Sequence, residues 1–112
     1  MAEFELRTYV DEYGRVPFET WILELDGQAQ AKVTIALSRL ERGNMSNVEA
    51  VGEGVSELKL NWGPGYRVYF GQDGRTIIIL LCGGTKKRQS RDIAVAKARW
   101  AGYKLRRSAT PR

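Results

Sequence analysis

Three runs between Val55 and Cys82 constrain this chain more than anything else in it. Val55 to Trp62 alternates, with Leu58, Leu60 and Trp62 on one side and Glu57, Lys59 and Asn61 on the other. Tyr66 to Phe70 alternates too, setting Tyr66, Val68 and Phe70 against Arg67 and Tyr69. Arg75 to Cys82 is apolar on both faces from Ile77 onward, which predicts a strand covered on both sides. The connections are Gly63-Pro64-Gly65 and Asp73-Gly74, short turn sequences that join antiparallel neighbours. A meander of hairpins follows.

The flanking segments complete the class. Phe4 to Thr8 alternates and reads as a further strand. Pro17 is placed for the first turn of a helix carrying Phe18, Trp21, Ile22 and Leu25. Asp26-Gly27 ends it. A second helix is predicted from Gln28 to Glu41, with Ala29, Val33, Ala36, Leu37 and Leu40 as its buried stripe and Lys32, Arg39 and Arg42 elsewhere on its surface. These two should form an antiparallel hairpin. Asn44 to Gly54 reads as a loop. A last helix is predicted from Lys87 to Tyr103, with Ile93, Ala96 and Trp100 inward, and Lys104 to Arg112 as a basic, flexible tail. The expected organisation is one α+β domain over 1–103 and a tail over 104–112. Trp21, Trp62 and Trp100 all lie on inward stripes, and Gly83-Gly84 is expected to supply positive φ at a strand-to-helix turn.

Composition removes whole classes of function. The 112 residues contain no histidine, which excludes Ser-His-Asp and Cys-His catalysis and most zinc sites. The single cysteine, Cys82, ends an apolar run and reads as an inert thiol in a reducing, cytoplasmic setting. No metal or cofactor is called for. The longest apolar run, Ile77 to Cys82, is too short for a membrane span, and the first residues do not read as a secretory signal. Gly52-Glu53-Gly54 lacks the remaining parts of a dinucleotide fingerprint.

Charge is divided along the chain. Residues 1–57 carry 11 acids and 5 bases, whereas residues 58–112 carry 2 acids and 13 bases. The second half therefore builds a surface that attracts polyanions. If the polar sides of the two alternating strands face one way, Glu57, Lys59, Arg67 and Tyr69 share a surface. Lys86, Lys87, Arg88, Gln89, Arg91 and Asp92 arrive beside it at the start of the last helix. Cations with an interspersed tyrosine suit single-stranded RNA, which needs phosphate neutralisation and rings for stacking. Each feature also has a structural reading. Arg67 can pair with Glu57 across strands, Tyr69 can cap a sheet edge, the Lys86–Arg88 run can be a solvated helix entry, and Asp92 fits a residue that caps or orients the helix.

Two stretches then carry a resemblance. Gly63-Pro64-Gly65-Tyr66-Arg67-Val68-Tyr69, followed by Leu81-Cys82-Gly83-Gly84 with Lys86, Gln89 and Asp92-Ile93, resembles the RelE/ParE superfamily of small "addiction module killer" toxins, close to its HigB branch. Phe18 to Leu25 and Arg39 to Asn44 fit the same pattern, so the likeness spans about residues 15 to 101. It implies a four-stranded antiparallel sheet with an N-terminal helical hairpin and a C-terminal helix. It further implies a type II toxin that cleaves mRNA, often on the ribosome, and is silenced by an antitoxin, commonly of helix-turn-helix type. Arg67 matches the family's strand arginine, and Lys59 and Lys86 lie where other members carry further basic residues; with a lysine as general acid or base and Glu57 as the alternative base, these four form the expected catalytic set. Tyr69, Lys87, Arg88, Gln89 and Arg91 are the expected RNA-binding residues. The ParE branch has the same fold and inhibits gyrase instead, and a toxin remnant that only binds antitoxin is the other alternative.

Overall fold

The computed structural model describes residues 3–109. Five strands form a single mixed sheet in the order β1-β5-β4-β3-β2. β1 is Glu5–Thr8, β2 Val48–Gly52, β3 Val55–Lys59, β4 Tyr66–Asp73 and β5 Ile77–Thr85. The helices are α1 (Pro17–Leu23), α2 (Gly27–Glu41) and α3 (Gln89–Ala109), with a 3-10 turn at Lys86–Arg88.

The expected meander is β3-β4-β5, and all its pairs are antiparallel. The expectation of a four-stranded antiparallel sheet is corrected in two places. Val48–Gly52, read as loop, pairs antiparallel with β3 and adds an edge strand. The turn between them is Gly52-Glu53-Gly54, all with positive φ (Glu53 at 55°). The first strand lies parallel to β5, from Glu5 against Ile77 to Thr8 against Leu80. A parallel pair needs a long crossover, and here the chain from α1 through β4 supplies it.

Helices cover both faces. On one, Phe18, Val33 and Leu40 of α1 and α2 pack with Leu58, Leu60, Val68, Phe70, Ile78 and Leu80. On the other, Ala96 and Trp100 of α3 pack with Val55, Tyr69, Ile79, Leu81 and Cys82. This explains why β5 is apolar on both sides. A bulge moves the β4–β5 register from Tyr69–Cys82 to Phe70–Leu80. Leu81 and Cys82 therefore both join the α3 face.

Local chemistry sets the helix ends. Pro17 opens α1, as its fixed φ favours. Asp26 caps α2 by accepting from the Ala29 N–H at 2.8 Å. Two helix predictions shift. The turn at Lys86–Arg88 precedes α3, which starts at Gln89. The expected flexible tail is helical through Ala109, and 110–112 lie outside the described residues. Gly83 and Gly84 do not have positive φ. They lie in β5, where a Cβ at Gly83 would collide with the Trp21 indole and one at Gly84 with the Asp92 carboxylate. Of the three tryptophans, Trp100 is buried and Trp21 packs on the core, while Trp62 sits half-buried beyond β3, stacked on Tyr66 at 6.0 Å. Among the described residues no helix is long and apolar enough to cross a membrane.

Candidate functional site

Alternation on β3 and β4 brings the expected sheet residues to one face, the one under α3. Two cross-strand rows define it. Lys59 stands opposite Arg67, which stands opposite Gly84, and Glu57 stands opposite Tyr69, which stands opposite Cys82.

Their exposure differs from what an open surface would give. Glu57 is 1% exposed and Arg67 8%. Tyr69 is fully buried, so its expected role as a stacking platform for a base is not available in this arrangement. Burial, with help from the Glu57 and Asp92 charges, pushes the Tyr69 phenol above its ordinary pKa. Its hydroxyl has no hydrogen-bond partner.

Glu57 is held from two sides. The Gln89 side-chain amide donates to both of its carboxylate oxygens, at 2.9 and 3.1 Å. Arg67 Nη1 lies 3.9 Å from Glu57 Oε2, too long for a hydrogen bond. The pair is diagonal across the strands, because Arg67 is opposite Lys59 rather than Glu57. Arg67 Nε is buried without a partner. Lys59 Nζ contacts Glu49 Oε1 at 2.8 Å, and this contact holds the Glu49 carboxyl below its usual range.

The cations at the start of α3 are arranged differently. Lys86, Lys87, Arg88 and Arg91 are exposed, and none has a carboxylate within 4.0 Å among the described residues. The Lys86 N–H donates to Gly65 O at 2.9 Å, which ties this end to the β3–β4 turn. Gln89, expected to contact RNA, instead bonds to Glu57.

Two features were not foreseen as functional. Asp92 lies over Gly84, and its Oδ2 is buried without a hydrogen-bond partner. Burial raises its pKa against the pull of Arg88, Arg91 and Arg99. Beside it, a cleft of about 420 Å³ opens between α1 and α3, with Arg15, Arg88, Arg91 and Arg99 on its walls. Arg99 is anchored there by a 3.2 Å bond to Leu81 O. The signal was available in the sequence, since positions 88, 91 and 99 fall on one helical face. Cys82 also borders the cleft. Burial pushes its thiol up to about 11, so it stays protonated near neutrality.

This arrangement can place guanidinium forks and a lysine around an anion, with the Glu57 and Asp92 carboxyl groups nearby. Comparison with known proteins adds a family. Residues 20–101 match the model of the family described as Phage derived protein Gp49-like. The chain belongs to that family. A Gp49-like chain of this kind is also 40% identical over 81 residues to an uncharacterized protein of Haemophilus influenzae, covering 71% of this chain and 82% of the relative. Its fold is that of the RelE toxins: a free-state structure of a mutant of the E. coli toxin RelE superposes with a TM-score of 0.61 at 16% identity, covering 88% of this chain and 96% of that one.

Proposed function

We propose that this Gp49-like protein is the toxin of a type II toxin–antitoxin pair and cleaves mRNA as an endoribonuclease. The observation that carries this reading is the strip of exposed cations Lys86, Lys87, Arg88 and Arg91, without a carboxylate within 4.0 Å among the described residues and flanking Gln89, which holds Glu57. The RelE-like fold and the family support it. By motif the chain resembles the HigB branch of such toxins.

In the proposed reaction the ribose 2′-oxygen attacks the adjacent phosphorus. The 2′-O–P bond forms, the P–O5′ bond breaks, and the products are a 2′,3′-cyclic phosphate and a 5′-hydroxyl. The 2′-OH proton goes to a base, and a proton reaches the departing 5′-oxygen. Negative charge gathers on the phosphoryl oxygens in the transition state. Arg67 suits them through its planar, permanently charged fork, with Lys59 opposite it on β3 and Lys86 at the β3–β4 turn. Removing one such donor typically lowers the rate about 10²–10³-fold. Glu57 is the carboxylate closest to Arg67 and the candidate base. Its use requires the first turn of α3 to yield, because Gln89 holds both its oxygens. Lys86 is exposed and requires no such movement.

One observation favours a second reading. Both sheet cations already face carboxylates, Arg67 on Glu57 and Lys59 on Glu49. A protein-binding inhibitor, such as a ParE-like inhibitor of gyrase, or a remnant that only binds antitoxin, would tolerate that pairing. In either case the partner is a co-expressed antitoxin, of helix-turn-helix type in the proposal, covering the exposed cations or docking away from them.

Induction in cells followed by mapping of RNA 5′ ends tests the proposal. New ends that depend on translation and disappear with Arg67→Lys are expected. Growth arrest with altered DNA supercoiling and intact RNA would replace it with the gyrase reading. No growth defect would leave the remnant.

A further inference from the structure

Alongside α2, away from α3, the end of β3 borders a groove of unusual composition. It runs between α2 and the end of β3, with a volume of about 230 Å³. It continues into a smaller hollow of about 110 Å³ beside Asn44 and Asn47. Its polar lining is Lys32, Arg39, Asn44, Asn47, Asn61 and Lys59, the last already held by Glu49 at 2.8 Å, with the Trp62 indole at one end. No carboxylate lines either part.

Geometry makes the groove selective. Lys32 and Arg39 are seven residues apart on α2, two turns along one exposed face, about 10 Å along the axis. Neither has a carboxylate within 4.0 Å among the described residues. The span fits phosphates of an extended strand. The Lys32 ammonium lies over the Trp62 ring, 5.6 Å from its centroid, and Tyr66 supports that ring from within the fold. A base stacking there takes the place of the ammonium, which is then free to meet a phosphate. Side-chain amides of Asn47 and Asn61 can each donate and accept, as base edges require.

We infer that this groove binds a single-stranded RNA segment, and that Lys59 is the one residue it shares with the set proposed for cleavage. Lys32 and Arg39, two cations without carboxylate partners, select a polyanion, and the indole with amides selects bases over an acidic peptide, which has nothing to stack. The choice of RNA over single-stranded DNA rests on the ribonuclease reading above.

The test is fluorescence anisotropy of a short, labelled single-stranded RNA with the full-length protein. Lys32→Ala/Arg39→Ala changes two exposed side chains, and circular dichroism should be unaltered. The double variant should bind at least about tenfold more weakly, and its dependence on log salt should flatten by about 0.7 for each phosphate that is no longer neutralised. Trp62→Leu should weaken binding by about tenfold as well. Excess polyglutamate should not compete. Binding that survives both variants but is abolished in Lys87→Ala/Arg88→Ala overturns the groove and leaves the ribonuclease reading standing. Equal competition by polyglutamate assigns the groove to an acidic protein and overturns the RNA assignment. Wild-type protein that binds no free RNA overturns the groove and leaves the ribonuclease reading to the mapping of RNA 5′ ends.

Discussion

Gln89 donates its side-chain amide to both oxygens of Glu57, joining the first residue of α3 to a carboxylate buried in the sheet. Glu57 has no route to water, so this bond and the looser approach of Arg67 are its compensation. Gln89→Ala leaves the carboxylate short of a donor. The expected cost is about 1–3 kcal/mol, read as a lower urea midpoint with unchanged m-value. An unchanged midpoint would mean that the interaction contributes nothing.

Gly84 and Asp92 form a second junction between sheet and helix. A methyl group at position 84 would meet the Asp92 carboxylate, so Gly84→Ala must displace the first turn of α3. The expected destabilisation is about 1–3 kcal/mol. Placed in an Asp92→Ala background, the same substitution should cost clearly less. Strict additivity in this double-mutant cycle would show that the two residues do not meet.

Asp92 also makes a pH prediction. Burial raises its folded pKa above the ordinary 3.8, so the fold favours the protonated acid. Its contribution is fully favourable below the unfolded value and is lost as pH rises through the folded value. Asp92→Asn should therefore be more stable than the wild type near neutrality, and the two should converge in acid. Thermal midpoints measured across pH 3 to 8, a window spanning roughly these values, check this. A gap that widens on acidification would reverse the sign and sink it.

Arg67 needs care as a probe of activity. Arg67→Ala would strand Glu57 beside a single amide, and breaking a buried pair costs about 3–5 kcal/mol. Arg67→Lys retains the charge and loses the fork. It should lower RNA cleavage by about 10²-fold while the protein stays folded. Lys86→Ala, at an exposed position, should also slow cleavage and move stability by no more than about 0.5 kcal/mol. Wild-type cleavage by both variants would remove these residues from the mechanism.

Much of the scaffold was legible because it is local. The alternations at 55–59 and 66–70 and the Asp73-Gly74 turn define the meander without reference to the rest of the chain. What escaped depends on distant partners. Nothing in Glu5–Thr8 says that its neighbour is Ile77 to Leu80, and Val48–Gly52 becomes a strand only because β3 offers it an edge. The site divides the same way. Alternation placed Glu57, Lys59, Arg67 and Tyr69 on one face, but it carries no information on which helix lies over that face. The burial of Tyr69 and the clasp of Gln89 on Glu57 follow from α3. Asp92 was read as a helix-end charge because the room beneath it comes from a missing side chain at Gly84.

The side-by-side pairing of Glu5 with Ile77 has a consequence for biosynthesis. The amino-terminal strand emerges first yet finds no seat until the final strand has been made. The Lys86–Arg91 strip and the helix that closes over Glu57 emerge later still. A nascent chain interrupted before that point has neither a finished sheet nor the cationic end proposed to grip RNA.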